Sequence, residues 1–232
     1  MFERISFLLV GNSRLHWAEH FQNKYNFFHT KKNNPIPKNI DINDLVWASV
    51  GKLPNLSLKK ENEIKTKDIK LKNLPNHFGV DRALGCFEAF KKIKNPLKKN
   101  LLIVDCGTTL SITKLTARGA IIGGQITPGF ITQLISMEKH TNNLKFPSKY
   151  DEIPLQDFLI KTDEAMVKGV FNSLIGLINL SFEASKDILV ICGGDSKLIA
   201  SGLNKKNKEI IIAPDLVMQG MISYFNSKRN LI

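Results

Sequence analysis

Leu8-Leu9-Val10-Gly11-Asn12-Ser13-Arg14-Leu15 aligns without gaps with Val104-Asp105-Cys106-Gly107-Thr108-Thr109-Leu110-Ser111, setting Gly11 opposite Gly107, Asn12 opposite Thr108 and Ser13 opposite Thr109. Each stretch reads as an apolar strand, a Gly turn carrying small polar side chains, and a return strand. A repeated unit of this kind predicts a duplicated architecture with two related halves.

Outward from the two echoes the texture is α/β. In the first half the patterning predicts a return strand over Arg14 to His20, a strand over Leu45 to Val50, and a helix over Ala83 to Lys94 with Ala83, Phe87 and Phe90 on one face. In the second it predicts strands at Leu101 to Val104, Leu110 to Leu115, Ala120 to Ile122, Ile188 to Cys192 and Glu209 to Ala213. Helices are expected over Asp163 to Ala184, after Gly194 and after Pro214. The lysine-rich stretch from Lys59 to Lys72 reads as surface loop or edge strand. The charged segment NPLKKN divides the chain near Lys98 to Asn100 into halves of residues 1–99 and 100–232.

A chain of 232 residues with 43% apolar content has enough sequence for a substantial core without disulfides or a structural metal, which excludes disordered, collagenous and miniprotein classes. No apolar run approaches the roughly 18 residues of a membrane span, and Ile5 to Val10 is too short for a signal-peptide core. The three cysteines lack CxxC spacing, so free thiols in a reducing compartment, and hence a cytoplasmic protein, are expected. The formal charge of +12 is concentrated in residues 31–99, with 16 Lys plus Arg against 7 Asp plus Glu; residues 100–232 hold 14 against 12. These lysines lack the interleaved aromatics of a single-strand platform. They read as a solvated surface that also attracts anionic small molecules, and nucleic acid is not expected as a partner.

Gly followed by Asn or Thr and then Ser or Thr offers backbone N–H groups and hydroxyls to an anion, and two such turns facing each other would grip a triphosphate. Either turn alone also reads as an ordinary hairpin. Neither a Walker motif nor GxGxxG is present. Asp105 closes its strand where a carboxylate can hold a cation against phosphate oxygens, and it also fits an Asx turn; the corresponding slot in the first turn is Leu9, which holds no ion. Gly193 and Gly194 end a buried strand and allow a ring or sugar to lie on the backbone, with Asp195 as an alternative helix N-cap. Asp81 and Thr162 each fit helix N-caps. His16-Trp17-Ala18-Glu19-His20 matches HxxEH literally, but in a strand its histidines stand roughly 13 Å apart.

Taken in order, LLVGNSRLHWA, WASV, FGVDRALGCFEAF, LLIVDCGTTLSITKL, GGQITPGF, KTDEAMVKG and VICGGD resemble the successive motifs of type III pantothenate kinases across essentially the whole chain. The resemblance implies the fold of the sugar kinase, actin and heat-shock ATPase superfamily: two duplicated α/β half-domains with a nucleotide cleft between them. It implies ATP-dependent phosphorylation of pantothenate to 4'-phosphopantothenate, the first step of coenzyme A synthesis.

Residue by residue, Gly11, Asn12 and Ser13 resemble the family's first phosphate turn, with Ser in place of the usual Thr. Gly79, Val80, Asp81 and Arg82 resemble its pantothenate segment, with Asp81 as general base. Asp105 is similar to the ligand of a monovalent cation, potassium or ammonium; Thr108 to an ATP contact; Thr162 to a substrate-binding Thr; Gly193 and Gly194 to the adenosine-side glycines. ATP with Mg2+ and a homodimer with pantothenate at the subunit contact are implied too. The family's first turn usually reads Asp-x-Gly-Asn-Thr, whereas Leu9 stands in the Asp slot here. The expectation is an active enzyme with weak magnesium and ATP saturation, which Leu9→Asp would tighten unless Leu9 is a core residue. A second reading is a non-catalytic relative resembling the Bvg accessory factor on the same fold.

Overall fold

The computed structural model describes residues 5–21, 24–94, 98–203 and 209–229. The chain divides into two compact units, one of Met1–Lys94, Gly119–Ile121 and Asp215–Ile232, the other of Asn95–Arg118 and Ile122–Pro214. The division expected at residues 99/100 differs in one main respect: the last helix belongs to the first unit, because its apolar face packs on a helix there. Part of the NPLKKN segment lies outside the described residues.

In the first unit, β1 (Ser6–Val10), β2 (Arg14–Phe21), β3 (Lys24–Lys31) and β4 (Val46–Ser49) form a sheet in the order β3-β2-β1-β4. β1 pairs antiparallel with β2 and parallel with β4, so that Leu9 faces His16 on one side and Ala48 on the other. Every residue of β1 is buried, as befits a central strand covered on both faces. Phe7 and Leu9 point into a cluster with α1 (Val80–Lys92) and α5 (Leu216–Arg229), while Leu8 and Val10 join Leu15, Trp17, Ile40, Leu45 and Trp47 on the other face. The two helices approach closely at Gly220, where a Cβ would stand 2.2 Å from the Leu84 carbonyl oxygen. α1 starts earlier than expected, and Phe90 is not on its buried face: it is 42% exposed and its ring lies over Gly119.

In the second unit, β5 (Asn100–Cys106), β6 (Thr109–Leu115), β7 (Ile121–Pro128), β8 (Asp187–Cys192) and β9 (Ile210–Ile212) form a sheet in the order β7-β6-β5-β8-β9. β5 pairs antiparallel with β6 and parallel with β8, repeating the pattern of β1 with β2 and β4. Two sheets with the same sequence of hairpin, edge strand and parallel return make the duplication evident well beyond the eight aligned residues. α2 (Phe130–His140), α3 (Thr162–Ser181) and α4 (Ser196–Ser201) complete the unit. Met166, Val167, Val170, Phe171, Leu174, Ile175 and Ile178 of α3 recur at helical spacing and are buried against β5, β6 and β8. Asp187 is buried at the start of β8, accepting hydrogen bonds from the Lys114 ammonium (2.9 Å) and the Glu183 backbone (2.9 Å).

β3 and α2 answer to no element expected from the sequence. The 59–72 stretch holds two single-turn helices and otherwise loop, tied in by bridges of Glu63 to Trp47 and Lys72 to Ala120. Among the described residues no helix is long and apolar enough to cross a membrane. No disulfide joins Cys86, Cys106 and Cys192, all buried.

Candidate active site

The first turn closes where the Gly11 N–H donates to the Arg14 carbonyl (3.0 Å), which leaves Asn12 and Ser13 exposed at its tip. Gly51, two residues beyond β4, is seated on this turn. Its N–H donates to the Val10 carbonyl at 3.2 Å, and a Cβ at Gly51 would lie 2.2 Å from the Gly11 oxygen and 2.9 Å from the Lys32 ammonium. No side chain fits there, so glycine is required by space. His16 packs beneath Gly11; burial, then the neighbouring His29 and Arg14, lower its pKa to about 4, so it is neutral at physiological pH.

Leu9 is only 6% exposed and packs with Phe7, Ala18, Val46, Ala48 and Met218. It is a core residue. The expectation that an acid here would sharpen metal binding therefore gives way to its alternative, because the side chain in this slot is buried in a cluster of apolar residues.

The second turn is built on the same plan with more attachments. The Gly107 N–H donates to the Thr109 carbonyl (3.0 Å), and the Thr108 carbonyl accepts from the Gly129 N–H (2.9 Å) and the Thr132 hydroxyl (2.6 Å) at the start of α2. Gly193, directly after β8, crowds the end of β5, while the approach that Gly51 makes to the Gly11 oxygen is made to the Gly107 oxygen by Gly129. The φ of Gly193 is +85°, and a Cβ there would stand 2.4 Å from the Cys106 oxygen and 2.5 Å from Asp105 Oδ1. The Asp195 N–H donates to the same Cys106 oxygen (3.0 Å). Asp105, Gly193 and Asp195 are thus gathered round the end of β5. The Cys106 thiol records both carboxylates: burial first, then Asp105 and Asp195, push its pKa up. Gly194 is exposed at the same place. α4 has only six residues, too short for its N-terminus to contribute much of the anion attraction expected there.

Sequence reasoning missed Gly51, Gly129 and Thr132, and gave Asp195 only a capping role. Their one signal was position, shortly after strands that pair with β1 or β5 or, for Gly129 and Thr132, at the opening of α2. As to a cation, the half-buried Asp105 supplies hard oxygen donors of the kind that Mg2+ and K+ take. Among the described residues no group of three or more His, Cys, Asp or Glu could hold a metal alone. The residues fit an ion whose other ligands are nucleotide oxygens and water.

The segment Gly79 to Arg82 lies in the first unit. Gly79, not Asp81, is the N-cap of α1, so Asp81 falls in the first turn of the helix. Its Oδ1 accepts the Arg82 N–H at 2.7 Å and curls back to within 2.7 Å of where a Gly79 Cβ would be. Burial raises the Asp81 pKa above its ordinary value, opposed by the Arg82 N–H and guanidinium. The guanidinium lies 4.1 Å from the centre of the Phe78 ring. Gly79 and Val80 line a cavity of about 680 Å³ with Ser49, Lys65, Thr66 and Asn76 among its polar walls. This is ample room for a small substrate. The Thr66 hydroxyl donates to the Phe78 carbonyl (2.7 Å) and fixes one wall to the other. Thr162, in the second unit, is exposed as the first residue of α3; the N-cap is Lys161, which corrects the capping role expected for Thr162.

The sequence profile of type III pantothenate kinase matches residues 47–184. The chain belongs to the type III pantothenate kinase family. That membership makes it a kinase, a phosphotransferase to an alcohol group, and implies ATP and a divalent metal ion. It is 28% identical to the type III pantothenate kinase of Synechocystis sp. over 96% of this chain and 90% of that one. With the Acinetobacter baumannii (strain ACICU) enzyme of the same name it shares 30% identity over 65% of this chain and 58% of that one. Two solved structures show the fold alone. A protein described as a conserved Baf family transcriptional activator from Campylobacter jejuni aligns at TM-score 0.68 and 20% identity over 97% and 99% of the two chains. An archaeal actin homolog aligns at TM-score 0.55 and 12% identity over 98% and 100%.

Burial of Leu9 yields a definite outcome for Leu9→Asp. An unpaired carboxylate in this core costs several kcal/mol. The variant should melt well below the parent, with no gain in magnesium affinity in a titration of activity. A tighter magnesium response at an unchanged melting temperature would show that the slot opens toward the nucleotide after all.

Proposed function

We propose that the protein transfers the γ-phosphoryl group of ATP to the primary hydroxyl of pantothenate, giving 4'-phosphopantothenate and ADP as the first step of coenzyme A synthesis. The observation that carries this reading is Asp81, a desolvated carboxyl whose pKa is raised, which directly follows Gly79 and Val80, two residues lining a cavity large enough for the substrate. In the reaction Asp81 accepts the hydroxyl proton as the hydroxyl oxygen bonds to the γ-phosphorus and the bond from that phosphorus to the bridging oxygen breaks. Gly79, Val80, Arg82 and Thr162 hold pantothenate. The turn of each unit, Gly11-Asn12-Ser13 in the first and Gly107-Thr108 in the second, binds phosphate oxygens, and Gly193 and Gly194 accept the adenosine side. Phosphoryl transfer needs chiefly positioning and charge neutralisation. Mg2+ on the nucleotide supplies part of that neutralisation. Asp105 holds a monovalent cation, potassium or ammonium, through its carboxylate.

The working form in this reading is a cytoplasmic homodimer with pantothenate at the subunit contact. Leu155, Phe158 and Ile160 support it: three apolar side chains almost wholly exposed in the stretch just before Thr162. Buried cysteines without disulfides agree with a reducing compartment.

A coupled assay with ATP, Mg2+, K+ and pantothenate tests the reaction, and release of ADP that depends on pantothenate is the expected result. Asp81→Asn keeps an oxygen for the Arg82 N–H and should stay folded while turnover drops at least roughly 10²-fold. A base must be deprotonated, so the parent's rate should decline as pH drops through the raised Asp81 pKa, above the usual carboxylate range, and the residual rate of the variant should lack that limb. Full activity in folded Asp81→Asn would remove Asp81 from the chemistry.

Replacing sodium with potassium or ammonium at constant ionic strength should raise the rate, and Asp105→Asn should blunt that response more than it raises the KM for pantothenate. Equal rates in the three salts would argue against the cation at Asp105.

A further inference from the structure

The first turn carries a group that neither its echo nor its family pattern assigns. We propose that the Lys32 ammonium is a phosphate-binding group of this turn, contacting the polyphosphate of the nucleoside triphosphate directly. The proposal rests on the reading of Gly11 to Ser13 as a phosphate turn and adds to it the source of positive charge.

Three features of the geometry support it. First, Lys32 is half-buried and fixed: its ammonium donates to the Lys52 carbonyl at 3.1 Å. An ammonium has three donors, and this contact uses one. Second, it flanks the turn itself. The point where a Gly51 Cβ would stand is 2.9 Å from Lys32 Nζ and 2.2 Å from the Gly11 oxygen, so ammonium and turn border one gap. Third, positive charge gathers here, with no ion pair to Lys32 among the described residues. Arg14 sits directly across from Lys31 in the β2–β3 register, and like charges opposite one another destabilise a sheet. Lys32 follows Lys31, and Lys52 follows Gly51. Leu9, in the slot where an acid would hold a metal against the phosphates, is apolar and buried. An anion at the turn relieves the repulsion, and a fixed lysine supplies directly the neutralisation that an acid and its metal would otherwise provide.

The test is calorimetric binding of Mg2+-ATP, and separately of inorganic tripolyphosphate, to the full chain without pantothenate, with a thermal melt of each variant. Lys32→Met should weaken both ligands roughly 10- to 100-fold, the scale of a lost charge-assisted hydrogen bond. Lys32→Arg, which keeps the charge, should hold affinity to within about threefold of the parent. Should the Met variant melt too low to titrate, Lys32→Gln takes its place with the same expected loss. Parent affinity in a folded Lys32→Met or Lys32→Gln variant overturns the proposal, as does a lowered melting temperature with unchanged ATP affinity. A parent protein that binds ATP but does not phosphorylate pantothenate overturns the proposed reaction instead, and the Lys32 comparison still decides the present point.

Discussion

Both candidate phosphate turns depend on one close backbone approach. At the end of each central strand a glycine from the loop after the parallel neighbour sits against a backbone carbonyl: Gly51 on Gly11 in the first unit, and Gly193 on Cys106, the last residue of β5, in the second, where Gly129 meets the Gly107 oxygen as Gly51 meets that of Gly11. The contact is tighter than any side chain permits. It fixes how far the parallel strand can travel before the chain turns away, and so where the exposed tip of each hairpin lies. The second unit adds clamps from Gly129 and Thr132 to the Thr108 carbonyl, so its turn is held from the start of α2 as well as from the loop after β8.

On this shared scaffold the two turns have come to carry opposite charge. The second keeps a carboxylate, Asp105, against Gly193, with Asp195 close by. In the first the equivalent side chain is Leu9, turned into the apolar layer between the sheet and helices α1 and α5, while Lys32 lies against the turn from outside. A duplicated unit tolerates this divergence because the backbone contact, rather than the side chain at the acid slot, holds the turn in shape. The acid slot is then free to bind an ion or to fill the core.

The duplication and the central strands were legible because they are local: apolar runs, a Gly turn, and the same order of residue types twice. The pantothenate segment was legible as a motif, but Gly79 as the cap and Asp81 inside the helix were not, since Gly, Val and Asp all suit the opening of a helix. β3 was missed because Lys24 to Lys31 lies at the sheet edge and is largely polar, leaving no clean alternation to read. The return of α5 to the first unit is a tertiary fact with no signal at residue 215. Leu9 shows the same limit at a single site, for its sequence neighbours suit a phosphate turn and only the packing of Met218 and Ala48 reveals a core position.

Amide hydrogen exchange with and without a non-hydrolysable ATP analogue and Mg2+ tests most directly whether both turns bind the nucleotide. The account predicts slowed exchange at residues 11–13 and also at 107–109 and 193–195, with little change in β3. Protection confined to one turn, or absent from both while the analogue is bound, would contradict it.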